Sequence, residues 1–291
     1  MKSKLKGTGV ALVTPFLSSG KVDYSALKKI LTHTAENGAD YFVVLGTTGE
    51  AATLSAKEKR EILDYILKNN SWGLPVVYGL GGNNTDSVVE EIKSTRLDEV
   101  DAILSVSPYY NKPSQAGIIH HYEKLADNSP VPIILYNVPG RTACNMTAAT
   151  TLTLAEHPNI TGIKEAGGDF EQTMRIASLK PKDFELISGD DLLLLPMLSI
   201  GATGVISVLA NAYPNVFKEI QHNYFSGNHD SATASAYKII RLHPLMYAEG
   251  SPSGIKYVLS EMNLCRPDVR LPMYHLSEKL KERISREMQS M

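Results

Sequence analysis

At 291 residues the chain can bury one large core, and with 43% apolar and 21% charged residues it has the balance of a soluble globular protein rather than a disordered, collagenous or disulfide-stapled one. Lys and Arg total 29 against 31 Asp and Glu, a net charge of −2, so neither nucleic acid nor an anionic membrane is an expected partner. Two distant cysteines, Cys144 and Cys265, form no CxxC pair and point to reduced thiols in a cytoplasmic protein.

Residues 1–6 are basic like the start of a secretion signal, yet Thr14-Pro15 cuts the following apolar run far short of a signal core. From residue 10 onward, short β-branched runs alternate with segments of helical period. The runs 10–14, 41–46, 75–79, 102–107, 133–137, 161–165, 185–189 and 204–208 read as eight strands. Their near-continuous hydrophobicity suits parallel strands covered on both faces. Asp23, Ser55, Asn84, Ser114 and Thr147 precede helical segments, where their side-chain oxygens can accept from first-turn amides.

Eight βα units predict an α/β fold, a (β/α)₈ TIM barrel over residues 1–225, with an open doubly wound sheet plus a lid domain as the alternative. The longest apolar stretch, 192–198, contains Pro196 and is too short to cross a bilayer. Beyond 226 no strand signal returns. Segments 231–242, 253–262 and 276–288 predict a C-terminal helical domain over 226–291.

Barrel chemistry sits where strands end, and here those ends are polar. The second strand runs into Gly46-Thr47-Thr48-Gly49-Glu50, the fourth into Ser107-Pro108-Tyr109-Tyr110-Asn111, and the fifth into Tyr136-Asn137, with Arg141 and Thr142 close behind. The sixth carries Lys164 and the seventh ends in Ser188-Gly189-Asp190-Asp191. Side chains alternate along a strand, so Lys164 and Glu165 project to opposite sides. An interior lysine, partly desolvated, favours the neutral amine that attacks a carbonyl and forms a Schiff base. The same position also suits a structural ion pair with Asp190 or Glu50.

Tyr136, on the adjoining strand, is either a proton carrier beside that amine or a buried aromatic with a satisfied hydroxyl. Thr47 and Thr48 are either caps or ligand contacts, with Gly46 and Gly49 allowing close backbone approach. Arg141 is either a carboxylate clamp or half of a surface salt bridge. Gly79-Leu80-Gly81-Gly82 fails the dinucleotide spacing, and no GxxxxGK[ST], HExxH or GxSxG occurs. Neither a metal nor a dissociable cofactor is implied, and the adjacent His120 and His121 point in different directions on a helix.

Gly7–Phe16 (GTGVALVTPF), 46–50 (GTTGE), 108–114 (PYYNKPS), 135–142 (LYNVPGRT), 162–166 (GIKEA), 188–191 (SGDD) and 204–208 (GVISV) together resemble, across nearly the whole chain, the pyruvate-dependent aldolase superfamily and within it the dihydrodipicolinate synthase family. The resemblance implies a barrel with a C-terminal helical domain, assembled as a homotetramer or homodimer. It implies condensation of pyruvate with aspartate 4-semialdehyde through a lysine Schiff base, on the diaminopimelate route to lysine. By the same resemblance Lys164 forms the imine and Tyr136 transfers protons. Thr47 and Tyr110 are relay partners, Tyr110 from a neighbouring subunit. Thr48 and Ile206 contact the pyruvate carboxylate, and Arg141 receives the second substrate.

Arg141 separates this family from sialic acid lyases of the same superfamily. The alternatives are a pyruvate aldolase acting on a sugar acid and a catalytically silent binding barrel. Residues 248–256 (AEGSPSGIK) depart from the family, with Ser251 where many relatives carry asparagine, which bears on subunit contacts. Asn83 and Tyr109 match contacts of an allosteric lysine cleft. Ala56, Lys59 and Ser87 stand where strongly inhibited relatives carry histidines and a glutamate, so weak lysine inhibition is expected.

Overall fold

The computed structural model describes residues 5–291; residues 1–4, part of the basic start, lie outside the described residues. Eight strands close into a barrel in chain order, which sets aside the open sheet. They are β1 (Gly7–Ala11), β2 (Tyr41–Val44), β3 (Val76–Gly79), β4 (Ala102–Val106), β5 (Ile133–Asn137), β6 (Ile160–Glu165), β7 (Glu185–Ser188) and β8 (Gly204–Ser207). Seven lie where the apolar runs place them, to within a residue or two at the ends. β1 is displaced toward the N-terminus, because its glycines hide it. Gly9 pairs with Tyr41, and a Cβ at residue 9 would stand 2.2 Å from the Tyr41 ring. Past Ala11 the ladder gives way to a side chain, as Val13 N–H donates to Asn211 Oδ1 at 3.1 Å.

The chain divides into two compact units. The first, mainly Pro75–Ile206, holds β3 to β7 and most of β8. Its strands pair in parallel, with Ile103, Ile133, Ile163 and Leu186 fully enclosed. Helices Thr85–Ser94, Gln115–Asn128 and Ala148–Ala155 start at Asn84, Ser114 and Thr147, each capping as expected with its side chain. Asp169 caps Phe170–Leu179 in the same way.

The second unit joins Gly7–Leu74 to Ser207–Met291. Asp23 caps Tyr24–Glu36, and Ser55 with Glu58 forms a reciprocal capping box on Ala56–Asn69. Helix Pro214–Phe225 is tied to β1 through Gln221 Nε2, which donates to Thr8 Oγ1 at 2.8 Å. The segment expected at 231–242 is a helix over His229–Lys238 followed by a 3₁₀ turn at His243–Met246, where Pro244 lacks the amide a continuing helix needs. Helices Ser253–Glu261 and Glu278–Met288 complete the C-terminal region. Among the described residues no helix is long and apolar enough to cross a membrane.

A polar knot organises this unit. Lys256 is fully buried and its Nζ donates to Glu50 Oε1 at 2.5 Å and to the Asp268 carbonyl at 2.9 Å, while lying 4.1 Å from the centre of the Phe16 ring. Arg270 N–H donates to Glu50 Oε2, and its guanidinium grips both oxygens of Glu58. That guanidinium holds the Glu58 carboxyl down at about 2.

In the first unit, His121 Nδ1 meets Thr85 Oγ1 at 2.9 Å, while Nε2 is buried with no hydrogen-bond partner among the described residues. Burial pushes this imidazole down to about 4. An unfolded-chain histidine titrates near 6.5, so the neutral ring contributes stability that is fully present above that pH. It is lost as pH falls toward 4, while the unfolded chain takes up about one proton more. Urea unfolding measured across this window is expected to show that linkage, and His121→Asn to flatten it. An unchanged slope in the variant would contradict the account.

Candidate active site

Strands β5 and β6 bring the two leading candidates together. Tyr136 is paired in register with Lys164, both side chains are almost fully enclosed at 7% and 6% exposure, and Lys164 Nζ stands 4.3 Å from the centre of the Tyr136 ring. No ion pair reaches Lys164 among the described residues. Glu50, one of the two acids that could have neutralised it, is occupied by Lys256. The neighbouring Glu165 lies on the other side of β6, where Asn137 Nδ2 donates to both its oxygens at 3.1 and 3.0 Å. Burial pushes the Glu165 carboxyl up, against the pull of those hydrogen bonds.

Gly189 makes room for the lysine, since a Cβ there would stand 3.1 Å from Lys164 Cε and 2.6 Å from Ala166 Cβ. In the sequence this glycine stands out only as part of Ser188-Gly189-Asp190-Asp191. Its signal is a glycine ending the strand beside the lysine's own.

Thr47 and Thr48 form a 3₁₀ turn after β2, in the second unit, with Thr48 buried and Thr47 exposed. Two non-glycine residues flank the turn in the left-handed region, Leu45 at φ 60° and Glu50 at φ 52°, a conformation that costs energy unless its surroundings impose it. The bonds from Lys256 and Arg270 to the Glu50 carboxylate supply that constraint. Of the two glycines, Gly49 is the one packed against backbone, where a Cβ would stand 3.2 Å from the Leu12 carbonyl oxygen. Its own carbonyl accepts from Thr14 Oγ1 at 2.7 Å.

Asn83 and Tyr109 are also brought together, Asn83 Nδ2 donating to the Tyr109 carbonyl at 3.1 Å, while Asn111 Nδ2 returns a bond to the Asn83 carbonyl at 3.0 Å. Beside them Tyr110 is held at φ 74° with 87% of its surface exposed, an unusual setting for a large aromatic. Arg141 lies in the short helix Pro139–Thr142 behind β5, exposed and with no ion-pair partner among the described residues, which sets aside the surface salt bridge. Ile206 is buried in β8. His120 points outward to Glu123 and His121 inward to Thr85. No group of three or more His, Cys, Asp or Glu among the described residues could hold a metal ion.

Comparison with known proteins places the chain in a family. Residues 4–291 match the model of the dihydrodipicolinate synthetase family. The chain is 47% identical over 279 residues to a 4-hydroxy-tetrahydrodipicolinate synthase of Flavobacterium psychrophilum, covering 96% of this chain and 95% of that one. It is 46% identical over 278 residues to the synthase of Cytophaga hutchinsonii, with 96% and 94% coverage. Among solved structures, dihydrodipicolinate synthase from Cyanidioschyzon merolae with lysine bound superposes with a TM-score of 0.95 at 35% identity, over 99% of each chain. The chain belongs to the dihydrodipicolinate synthetase family.

Proposed function

We propose that this chain is a 4-hydroxy-tetrahydrodipicolinate synthase, condensing pyruvate with aspartate 4-semialdehyde in the cytoplasm on the route to lysine. The observation that carries the proposal is the buried pairing of Lys164 with Tyr136, an amine with no ion-pair partner among the described residues set against a phenol. In this reading residues 1–225 are the catalytic barrel and 226–291 a helical domain.

The Lys164 amine attacks the keto carbon of pyruvate, and loss of water leaves an imine whose nitrogen draws electrons from the methyl group. That methyl loses a proton to become an enamine carbon, with Tyr136 carrying protons in and out and Thr47 and Tyr110 completing the relay. Thr48 and the Ile206 backbone hold the pyruvate carboxylate. The enamine carbon then bonds to the aldehyde carbon of the semialdehyde, whose carboxylate Arg141 receives bidentately. The substrate's own amine displaces Lys164, closing the ring and freeing the lysine. No step draws on a metal or a dissociable cofactor. Arg141, exposed and without an ion-pair partner among the described residues, favours this acceptor over a sugar acid. The presence of both lysine and tyrosine speaks against a silent barrel.

Pyruvate with borohydride is expected to leave a reduced adduct that peptide mapping places on Lys164 and that is absent from Lys164→Ala. Arg141→Ala should keep the adduct while losing condensation, at a cost of about 1.5–3 kcal/mol in transition-state stabilisation. A wild-type protein without adduct, or an adduct that survives in Lys164→Ala, overturns the Schiff-base assignment. Full synthase activity in Arg141→Ala overturns the clamp.

A homodimer or homotetramer fits the outward setting of Tyr110. For regulation, Ser87 offers no charge to an effector's ammonium group, and the Asn83 amide is engaged by the Tyr109 carbonyl. Weak inhibition by lysine is therefore expected in initial rates at fixed pyruvate. Half-inhibition at micromolar lysine would contradict it.

A further inference from the structure

Behind Tyr136 and Lys164, on the opposite faces of the same two strands, lies a second pair that the proposed chemistry does not use. Asn137 is paired in register with Glu165, so strand alternation fixes where one pair stands once the other is locked. Every polar atom of the Asn137 amide is committed. One N–H lies between the two Glu165 oxygens at 3.1 and 3.0 Å, the other meets Asn145 Oδ1 at 2.9 Å, and Oδ1 accepts from Met146 N–H at 3.0 Å. Asn137 and Glu165 are buried at 0% and 3% exposure.

The stretch from 138 to 145, which bears Arg141, thus begins next to Asn137 and is fastened back onto the Asn137 side chain at its end. Glu165 does the same for the turn after β6. Its Oε1 accepts from Gly167 N–H at 2.6 Å, and a Cβ on residue 167 would stand 2.7 Å from that oxygen. Gln172, from the helix that follows β6, holds the end of the Arg141 stretch by accepting from Asn145 Nδ2 at 2.9 Å and donating to the Met146 carbonyl at 3.2 Å.

We propose that Asn137 and Glu165 are positioning residues, a polar brace on the outer faces of β5 and β6 that sets the Tyr136–Lys164 spacing and the place of the Arg141 turn. The proposal rests on the aldolase reading, since it assigns the brace to that reaction. Neither residue touches substrate. Their effect passes through the strands and the turn.

A polarity swap tests it. In Asn137→Asp a second carboxylate faces Glu165, and in Glu165→Gln one amide faces another. In the double variant the amide introduced at position 165 can donate to the carboxylate introduced at position 137, which still accepts from Met146 N–H and accepts from Asn145 once the Asn145 amide turns over to present Nδ2, while the amide oxygen at position 165 still accepts from Gly167 N–H. Each single variant is expected to slow borohydride-trapped adduct formation and to lose on the order of tenfold to a hundredfold in kcat with little change in the pyruvate KM. The double variant should recover most of the loss.

Wild-type trapping is measured first. If the wild type gives no adduct, the aldolase reading fails. If it gives one, and the single variants trap and turn over at the wild-type rate or the double variant is as impaired as the two losses combined, the brace fails. Should the single variants not fold, amide exchange in the unaltered protein decides. The Gly167 and Met146 amides lie outside helix and strand, and each is expected to exchange slowly; rapid exchange at both overturns the brace.

Discussion

One extra residue in β6 fixes which side chains face each other across β5 and β6. Ile133 pairs with Ile160, but the next residue, Ile134, pairs with Gly162, so Thr161 is passed over. Without that bulge Tyr136 would stand opposite Ile163. With it, Tyr136 meets Lys164 and Asn137 meets Glu165. A slip of one residue exchanges the two faces of a strand, so the bulge decides whether the amine or the carboxylate shares a face with the phenol. Gly162, immediately after the bulge, lets β6 lie close to β7, where a Cβ would stand 2.7 Å from the Glu185 carbonyl oxygen. The extra residue and the glycine beside it act as one local device.

The second unit solves a related problem with charge instead of register. The turn that carries Thr47 and Thr48 is flanked by left-handed residues, and a buried carboxylate at its end holds it. Isolated, that carboxylate would be costly to bury. Paired with Lys256 and bonded by Arg270 N–H, it becomes a fixed attachment between the turn and residues 256–270, and removing either partner would leave a buried charge uncompensated. Lys256 closes the segment 248–256, and its ammonium donates to Glu50 and to the Asp268 carbonyl. At least at this residue, that segment is committed to the interior of its own unit.

Much of this was legible in the sequence, because parallel strands covered on both faces read as continuous apolar runs and helix starts carry Asp, Ser, Asn or Thr. All five anticipated caps form. Lys164 and Tyr136 could be picked out by alternation and strand adjacency, and the family resemblance added roles to them. What could not be read was register. Gly7 and Gly9 concealed β1, and Thr161 looks like any strand threonine, yet it sets which residues face each other. The Glu50–Lys256 pair joins residues 206 apart, and no local pattern announces such a contact. Glu165 and Asn137 were in view as neighbours of the reactive candidates. Only the paired strands reveal that they answer each other.

The account stands on Lys164 activating the pyruvate methyl group with Tyr136 at its side. Proton NMR of pyruvate alone in D₂O with the enzyme measures this before any second substrate enters. The methyl signal is expected to disappear through deuterium exchange with the wild type, slowly with Tyr136→Phe, and not above background with Lys164→Ala. No exchange with the wild type, or equal exchange with Lys164→Ala, would contradict the account.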